Sequence, residues 1–260
     1  MAPQRFDNAG ASQVRIGCCG FPQPLVRFAQ NFRLAEVQQT FYQPPQLKTL
    51  ERWRAQVPAD FEFTLKAWQL ITHESTSPTY RRLREKLSDR QLRETGAFRA
   101  SEIVTNAWRR TLDCARALGS RLILFQCPAR FGPTSDHKMN LREFFHAVRK
   151  DISKDQDAAD FIFVWEPRGE WKREEIGGLC EELGLVHGVD PFEQMPVTQG
   201  LGYFRLHGKG GYRYRHTDED LERLRAVTRG FRPCYVLFNN LSMLEDARRF
   251  ARLTAGREPL

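Results

Sequence analysis

The chain has 260 residues, a net charge of +8, 41% hydrophobic residues and 19 phenylalanines, material for one large domain or two small ones. No run approaches the roughly 18 apolar residues of a membrane span, so a membrane partner is not expected. The isoelectric point of about 9.4 is compatible with a nucleic-acid partner. However, the arginines are dispersed, and the densest run, Arg81–Arg84 with Lys86, is broken by Glu85 and followed by Asp89. It reads as a solvated helix face.

Met1 to Gln13 is a polar tail without the apolar segment of a secretory signal, which sets the expectation of a cytoplasmic protein. The six cysteines, at 18, 19, 114, 127, 180 and 234, include no C-x-x-C pair and read as buried thiols. Val14–Gly20 is a first strand, and Leu25–Phe32 a short helix. Arg33–Tyr42 reads as a second strand closed by Pro44-Pro45, followed by helical spacing over Leu47–Val57. Phe61–Ala67 alternates as a third strand.

Trp68 to Ala100 is a long polar insertion whose Tyr80–Leu92 portion has helix-forming composition. Ser101 caps a helix to Leu118 that Gly119 stops. Arg121–Cys127 is the fourth strand, Asn140–Ile152 a helix with a charged linker behind it, and Phe161–Pro167 the fifth strand. A helix over Trp171–Leu183 and a strand over Leu185–Asp190 follow. Gly200–Gly211 holds the seventh strand and a glycine-rich turn. Thr217 caps the next helix, Pro233–Asn240 is the eighth strand, and Ser242 opens the last helix. Eight strands, nearly all followed by helices, predict a single (β/α)8 TIM-type barrel over 14–255, with residues 1–13 as a tail and the insertion at 68–100. An open doubly wound sheet is the rival, but no G-x-G-x-x-G fingerprint follows the first strand.

In a barrel, alternate side chains face the lumen. With the apolar set against the helices, Glu36, Gln38 and Thr40 point inward from strand two and Glu62, Thr64 and Lys66 from strand three. Strand five offers Glu166 and then Arg168; strand six offers Asp190. Strand seven sends Tyr203, Arg205 and His207 inward. The phases of strands four and eight stay open, so either Gln126 or Cys127, and either Asn239 or Asn240, comes near the mouth. Polar groups thus gather at the carboxyl ends of the strands, where barrel enzymes place their chemistry. Burying such ion pairs for stability alone is costly, which favours function.

Eight motifs occur in order: I-G-C-C-G-F (Ile16–Phe21), E-V-Q-Q-T-F-Y (Glu36–Tyr42), F-T-L-K-A-W-Q (Phe63–Gln69), I-T-H (Ile71–His73), L-F-Q-C-P (Leu124–Pro128), W-E-P-R (Trp165–Arg168), R-L-H-G (Arg205–Gly208) and Y-V-L-F-N-N (Tyr235–Asn240). Together they resemble the YecE-like family, domain of unknown function seventy-two, over about Val14 to Leu253. The resemblance implies a TIM-type barrel related to sugar isomerases and lends no reaction. Many members carry G-T-S-G-W where this chain has Gly17-Cys18-Cys19-Gly20-Phe21, and E-I-N-S-T-F-Y where it has a glutamine pair. No role is therefore carried over to that loop.

The expected function is acid/base chemistry, isomerase- or hydrolase-like, on a small anionic molecule such as a sugar or sugar phosphate. Glu36, Lys66, Glu166 and His207 are the proton-transfer candidates. Arg205 and the Gly208–Lys209 turn are anion binders, because barrels hold phosphate near the loops after strands seven and eight. Gln38, Tyr42, His73, Gln126, Arg168, Asp190, Asn239 and Asn240 complete the binding set. No cofactor is required by the pattern; a divalent metal on Glu36, Glu166, Asp190 and His207 is the alternative, without a recognisable ligand spacing. A nucleic-acid-binding or non-catalytic ligand-binding protein is the alternative to an enzyme.

Overall fold

The computed structural model describes residues 14–153 and 160–255; the polar tail and most of the charged linker expected from the sequence lie outside them. Eight strands form the barrel: β1 Val14–Cys19, β2 Leu34–Val37, β3 Glu62–Lys66, β4 Leu122–Gln126, β5 Ile162–Glu166, β6 Val186–Val189, β7 Gly202–Leu206 and β8 Cys234–Phe238. All neighbours are parallel, and β8 closes on β1 with Val14 opposite Cys234 and Cys18 opposite Phe238. The helices are α1 Leu25–Ala29, α2 Gln39–Tyr42, α3 Leu47–Ala55, α4 Gln69–Thr72, α5 Asp89–Glu94, α6 Glu102–Leu118, α7 Ser135–Ile152, α8 Arg173–Leu183, α9 Asp218–Thr228 and α10 Met243–Thr254. The TIM-type barrel is therefore the observed fold.

Period-two alternation splits each strand between two cores. Cys18, Ala35, Val37, Phe63, Leu65, Phe125, Phe163, Trp165, Phe204 and Phe238 pack against the helices. Leu34, Leu122, Leu124, Val164, Tyr203, Tyr235 and Leu237 fill the lumen as a separate apolar plug. The barrel is thus sealed in its lower layers, and only its carboxyl end carries ionisable side chains in quantity. At the opposite end Glu62 pairs with Arg15 at 2.7 Å and accepts from the Tyr235 hydroxyl at 2.8 Å. Two lumen glycines are space requirements. A Cβ on Gly17 would stand 2.0 Å from the Leu34 carbonyl oxygen, and one on Gly188 would stand 2.8 Å from Val164 Cγ1. Gly188 therefore leaves room for the Val164 side chain.

Two local expectations are corrected. The second strand stops at Val37, because Thr40 Oγ1 donates within reach of the Val37 and Lys66 carbonyls, at 2.9 and 2.7 Å, and the chain curls into α2. Thr40 consequently does not face the lumen. Residues 80–92 form no single helix; a 3-10 turn at Pro78–Arg82 is separated from α5, whose start carries a Ser88–Gln91 capping box. No helix lies between β6 and β7. The insertion is packed rather than loose. Gly96 and Phe98 donate to the carbonyls of Leu70 and Ile71 at 2.8 and 2.9 Å. The Phe98 ring is fully buried among Phe125, Phe131, Phe144 and Phe145. Thr217 and Asp220 cap α9 reciprocally, as their spacing predicts.

Candidate active site

The inward positions at the carboxyl ends of β2, β3, β4, β5 and β7 bring Glu36, Lys66, Gln126, Glu166 and Arg205 together. Arg205, 1% exposed, is the hub. Its Nε and Nη2 donate to Glu36, at 3.0 Å to Oε2 and 2.9 Å to Oε1, and its Nη1 donates to Glu166 Oε2 at 2.7 Å. Glu36 is completely buried and also accepts from the Tyr203 hydroxyl at 2.7 Å and from the Gln38 amide. Tyr203 is in turn hydrogen-bonded to Thr64 Oγ1 at 2.8 Å. Glu36 thus anchors Arg205 from below rather than standing free to exchange protons.

Glu166 has a second cation. Arg168, on the loop after β5, donates to Glu166 Oε1 through Nε at 2.8 Å and Nη2 at 2.6 Å, and Gln126 Nε2 donates to the same oxygen at 2.9 Å. Burial alone would raise the Glu166 carboxyl, but Arg205 and Arg168, with the Gln126 hydrogen bond, hold it well below the ordinary carboxylate range. It is therefore held as an anion between two guanidinium groups. Arg205 is likewise saturated by two carboxylates and is not the free anion clamp that the strand pattern suggests. Arg168, with 38% of its side chain exposed, is the guanidinium that reaches solvent.

His207 follows β7 and is held by Asp190. Its backbone N–H donates to Asp190 Oδ2 at 2.8 Å, while Asp190 Oδ1 accepts from the Phe192 N–H at 3.0 Å. His207 Nε2 lies 2.8 Å from Arg168 Nη2 and 3.4 Å from Arg205 Nη1. Arginine only donates, so Nε2 accepts and the ring proton sits on Nδ1, 3.7 Å from Asp190 Oδ2.

Lys66 differs from its neighbours. It is 6% exposed, its amine donates to Gln126 Oε1, and Nζ stands 3.5 Å above the centre of the Phe41 ring. Among the described residues no carboxylate forms an ion pair with it, because the nearby ones are turned toward the arginines. Burial, reinforced by Arg205 and only partly offset by Glu166 and Glu36, lowers its pKa to about 7. His73 packs edge-on against Phe41, with ring centroids 4.9 Å apart. Burial and the charges of Lys66 and Arg168 lower it to about 3, so it is neutral.

Lys209 and Asn240 are committed to partners outside the cluster. Lys209 is tied to Asp220, which also accepts from the Tyr214 hydroxyl at 2.5 Å, so the glycine turn offers no free cation to the lumen. Gly208 shapes that turn, with φ of +89° and its carbonyl accepting from Gly211 at 3.0 Å. Asn240 lies behind the barrel, donating to the Tyr214 carbonyl and Asp246 Oδ2 at 2.7 Å each; Asn239 is the residue that continues the inward phase. The Tyr42 ring is covered by Arg82, whose guanidinium carbon lies 3.5 Å from its centre. On β4 it is Gln126 that faces inward; Cys127 points outward and accepts from Trp165 Nε1 at 3.2 Å. The alternative metal set does not fit: Glu36 and Glu166 present their oxygens to arginines, and among the described residues no three His, Cys, Asp or Glu side chains converge as ligands. Thr64, Tyr203 and Cys19 surround Glu36 and are not among the expected site residues; alternation turns Thr64 and Tyr203 inward, but neither their partnership across the lumen nor the place of Cys19 is encoded there.

A cavity of about 690 Å³ lies away from this cluster, outside the barrel between α9 and α10, lined by Arg215, Glu245, Arg248 and Arg252 among others. Among the described residues no helix is long and apolar enough to cross a membrane.

A family model described as "Protein of unknown function DUF72" matches residues 20–258. Two solved DUF72 family proteins share the fold. One, from Enterococcus faecalis, has a TM-score of 0.70 and 19% identity, covering 93% of this chain and 97% of that one. The other, from Thermotoga maritima, has a TM-score of 0.63 and 18% identity, covering 93% and 99%. A D-psicose 3-epimerase solved in the presence of D-fructose is more distant, with a TM-score of 0.52 and 14% identity over 89% of this chain and 92% of that one. No curated protein matches the chain.

Proposed function

We propose, from the premise that the chain belongs to the DUF72 family of proteins of unknown function, that it is an enzyme acting on a small hydroxylated carbonyl compound, a sugar or sugar phosphate, by proton transfer of the isomerase type. One observation carries this reading. A buried lysine at a strand end, with a pKa lowered to about 7, sits beside carboxylates that are already committed to arginines. A structural lysine would be neutralised by a carboxylate; leaving it unpaired is costly and gives a group that changes protonation in the working range.

Arg168 and His207 form the solvent-facing edge, suited to oxygens of a hydroxylated or phosphorylated ligand. Gln38 and Gln126 supply amide contacts next to the buried carboxylates. Glu36, Tyr203 and Arg205 keep this arrangement rigid. The shared fold with a D-psicose 3-epimerase makes D-fructose the first probe.

The test is a thermal-shift screen with D-fructose, related ketoses and their phosphates, followed by turnover assays on any that bind. A ligand at a hundred times its dissociation constant stabilises by about 2.7 kcal/mol, which is readily seen. The expected result is a stabilising sugar whose effect is lost in Arg168→Ala and whose turnover is lost in Lys66→Met. A stabilising sugar that both variants bind and convert like the native protein refutes the assignment.

A further inference from the structure

The Lys66 amine has surroundings that suit a nitrogen cation but do not occupy it as a salt bridge would. The Phe41 ring face lies under Nζ at 3.5 Å, and aromatic faces attract cations. Gln126 Oε1 accepts one N–H, and its Nε2 is fixed by donating to Glu166 at 2.9 Å, so the amide cannot turn its donor end toward the lysine. One acceptor and one ring face satisfy a nitrogen with a single N–H, and the remaining positions on Nζ are not taken by a carboxylate among the described residues.

We propose that Lys66 is a nucleophile that forms an imine with the carbonyl carbon of its substrate. This rests on the reading of the site as one that takes a carbonyl compound. The free amine attacks the carbonyl carbon, the C=O π pair moves to oxygen, and that oxygen takes the proton the nitrogen sheds. The carbinolamine then loses its hydroxyl, protonated by solvent, as water, and the nitrogen lone pair forms the C=N bond. One amine, one carbonyl and one proton give one iminium and one water. The iminium retains one N–H for Gln126 Oε1 and lays its charge over Phe41, with the Glu166 and Glu36 carboxylates as the nearby counter-charges.

Besides burial, the groups that set the amine's charge are Arg205 from β7, Glu166 and Arg168 from β5 and its loop, and Glu36 from β2; the neutral His73 ring, after α4, is the other titratable group close by. An exposed lysine of ordinary pKa near 10.4 is a free amine only about once in two thousand at pH 7. Lys66, lowered to about 7, is a free amine for a far larger share of the time, which favours trapping there over exposed lysines.

The test is reductive trapping. The full chain is incubated at pH 7 with D-fructose, and separately with dihydroxyacetone, in the presence of cyanoborohydride, then analysed by intact mass and peptide mapping. The expected product is one adduct, heavier by the probe less one oxygen atom, on the peptide holding Lys66 and absent in Lys66→Met. Gln126→Glu is the second variant: a carboxylate against the amine favours the ammonium, so trapping at pH 7 falls by about tenfold or more and recovers as pH rises. Adducts confined to surface lysines, or unchanged in Lys66→Met, overturn the imine. Probe binding by thermal shift without an adduct overturns the imine and leaves the proposed function standing. Neither binding nor trapping with any carbonyl probe overturns both.

Discussion

Replacing Arg205 by methionine tests the architecture of the site. The guanidinium is 1% exposed and donates to two carboxylates that are 0% and 6% exposed. Methionine preserves an unbranched side chain while removing every donor and the charge. Removing one member of a buried, hydrogen-bonded ion pair costs about 3–5 kcal/mol, because the partner charge is stranded. For a chain of this size each kcal/mol moves the midpoint by roughly 2–4 °C, so Arg205→Met should melt about 6–20 °C lower.

The loss also has a sign in pH. In the native protein Glu166 is held low, so its ion pairing contributes stability above the unfolded value near 4.3 and that contribution fades as the pH falls below it. Without Arg205 the Glu166 carboxyl loses its largest counter-charge and keeps only Arg168 and Gln126 against burial. It then binds a proton more readily than in the native protein, and the variant's deficit grows as pH rises. Adding Glu36→Gln should restore part of the stability, because one stranded charge is gone. Differential scanning calorimetry at pH 5 and pH 8 on the native, single and double variants measures all three effects. A deficit under about 1 kcal/mol, or one that is the same at both pH values, would refute the view of Arg205 as the hub of the cluster.

Lys66→Met should raise stability, an expectation opposite to that for a structural residue. Its pKa is lowered from 10.5 to about 7, so between those values the unfolded chain holds a proton that the folded one does not. The native penalty is therefore full below pH 7 and vanishes above about pH 10.4. Melting at pH 7 should show a gain of several degrees for the variant that disappears near pH 10; a destabilised Lys66→Met at pH 7 contradicts it. His73 and His187 are lowered mainly by burial, to about 3 and about 4. Both take protons in the unfolded chain below about pH 6.5 before they do so in the native state, so stability falls as pH drops from 6.5 toward 4. His187→Gln and His73→Gln should each flatten that slope in pH-dependent melts; an unchanged slope in the double variant argues against the burial effect.

The part of the site governed by alternation was legible in the sequence. Glu36, Lys66, Glu166 and Arg205 follow from one decision, that the apolar residues of β2, β3, β5 and β7 face the helices, and the barrel then brings those residues together. What alternation does not encode is who pairs with whom across the lumen. Arg205 and Arg168 look equivalent in sequence, yet one is buried between two carboxylates and the other meets solvent. Residues beyond strand ends were harder still. Thr40 is curled out by two carbonyls, Asn240 is drawn behind β8 by Asp246, and Lys209 is neutralised by an aspartate of α9, all partners set by loop paths rather than by strand phase.

The pairing itself sets Lys66 apart from its neighbours. Glu36 and Glu166, with Asp190 supporting His207, are the anions nearest the mouth, and the two arginines answer the glutamates with hydrogen bonds as well as charge. Guanidinium forks match carboxylates better than an ammonium does, so the arginines win that competition and Lys66 is left with an amide oxygen and a ring. Adding a carboxylate to the lysine would stabilise the barrel and silence the amine. The chain instead uses its two arginines to hold the carboxylates away from Lys66, and a buried amine that titrates near neutrality is the direct physical result.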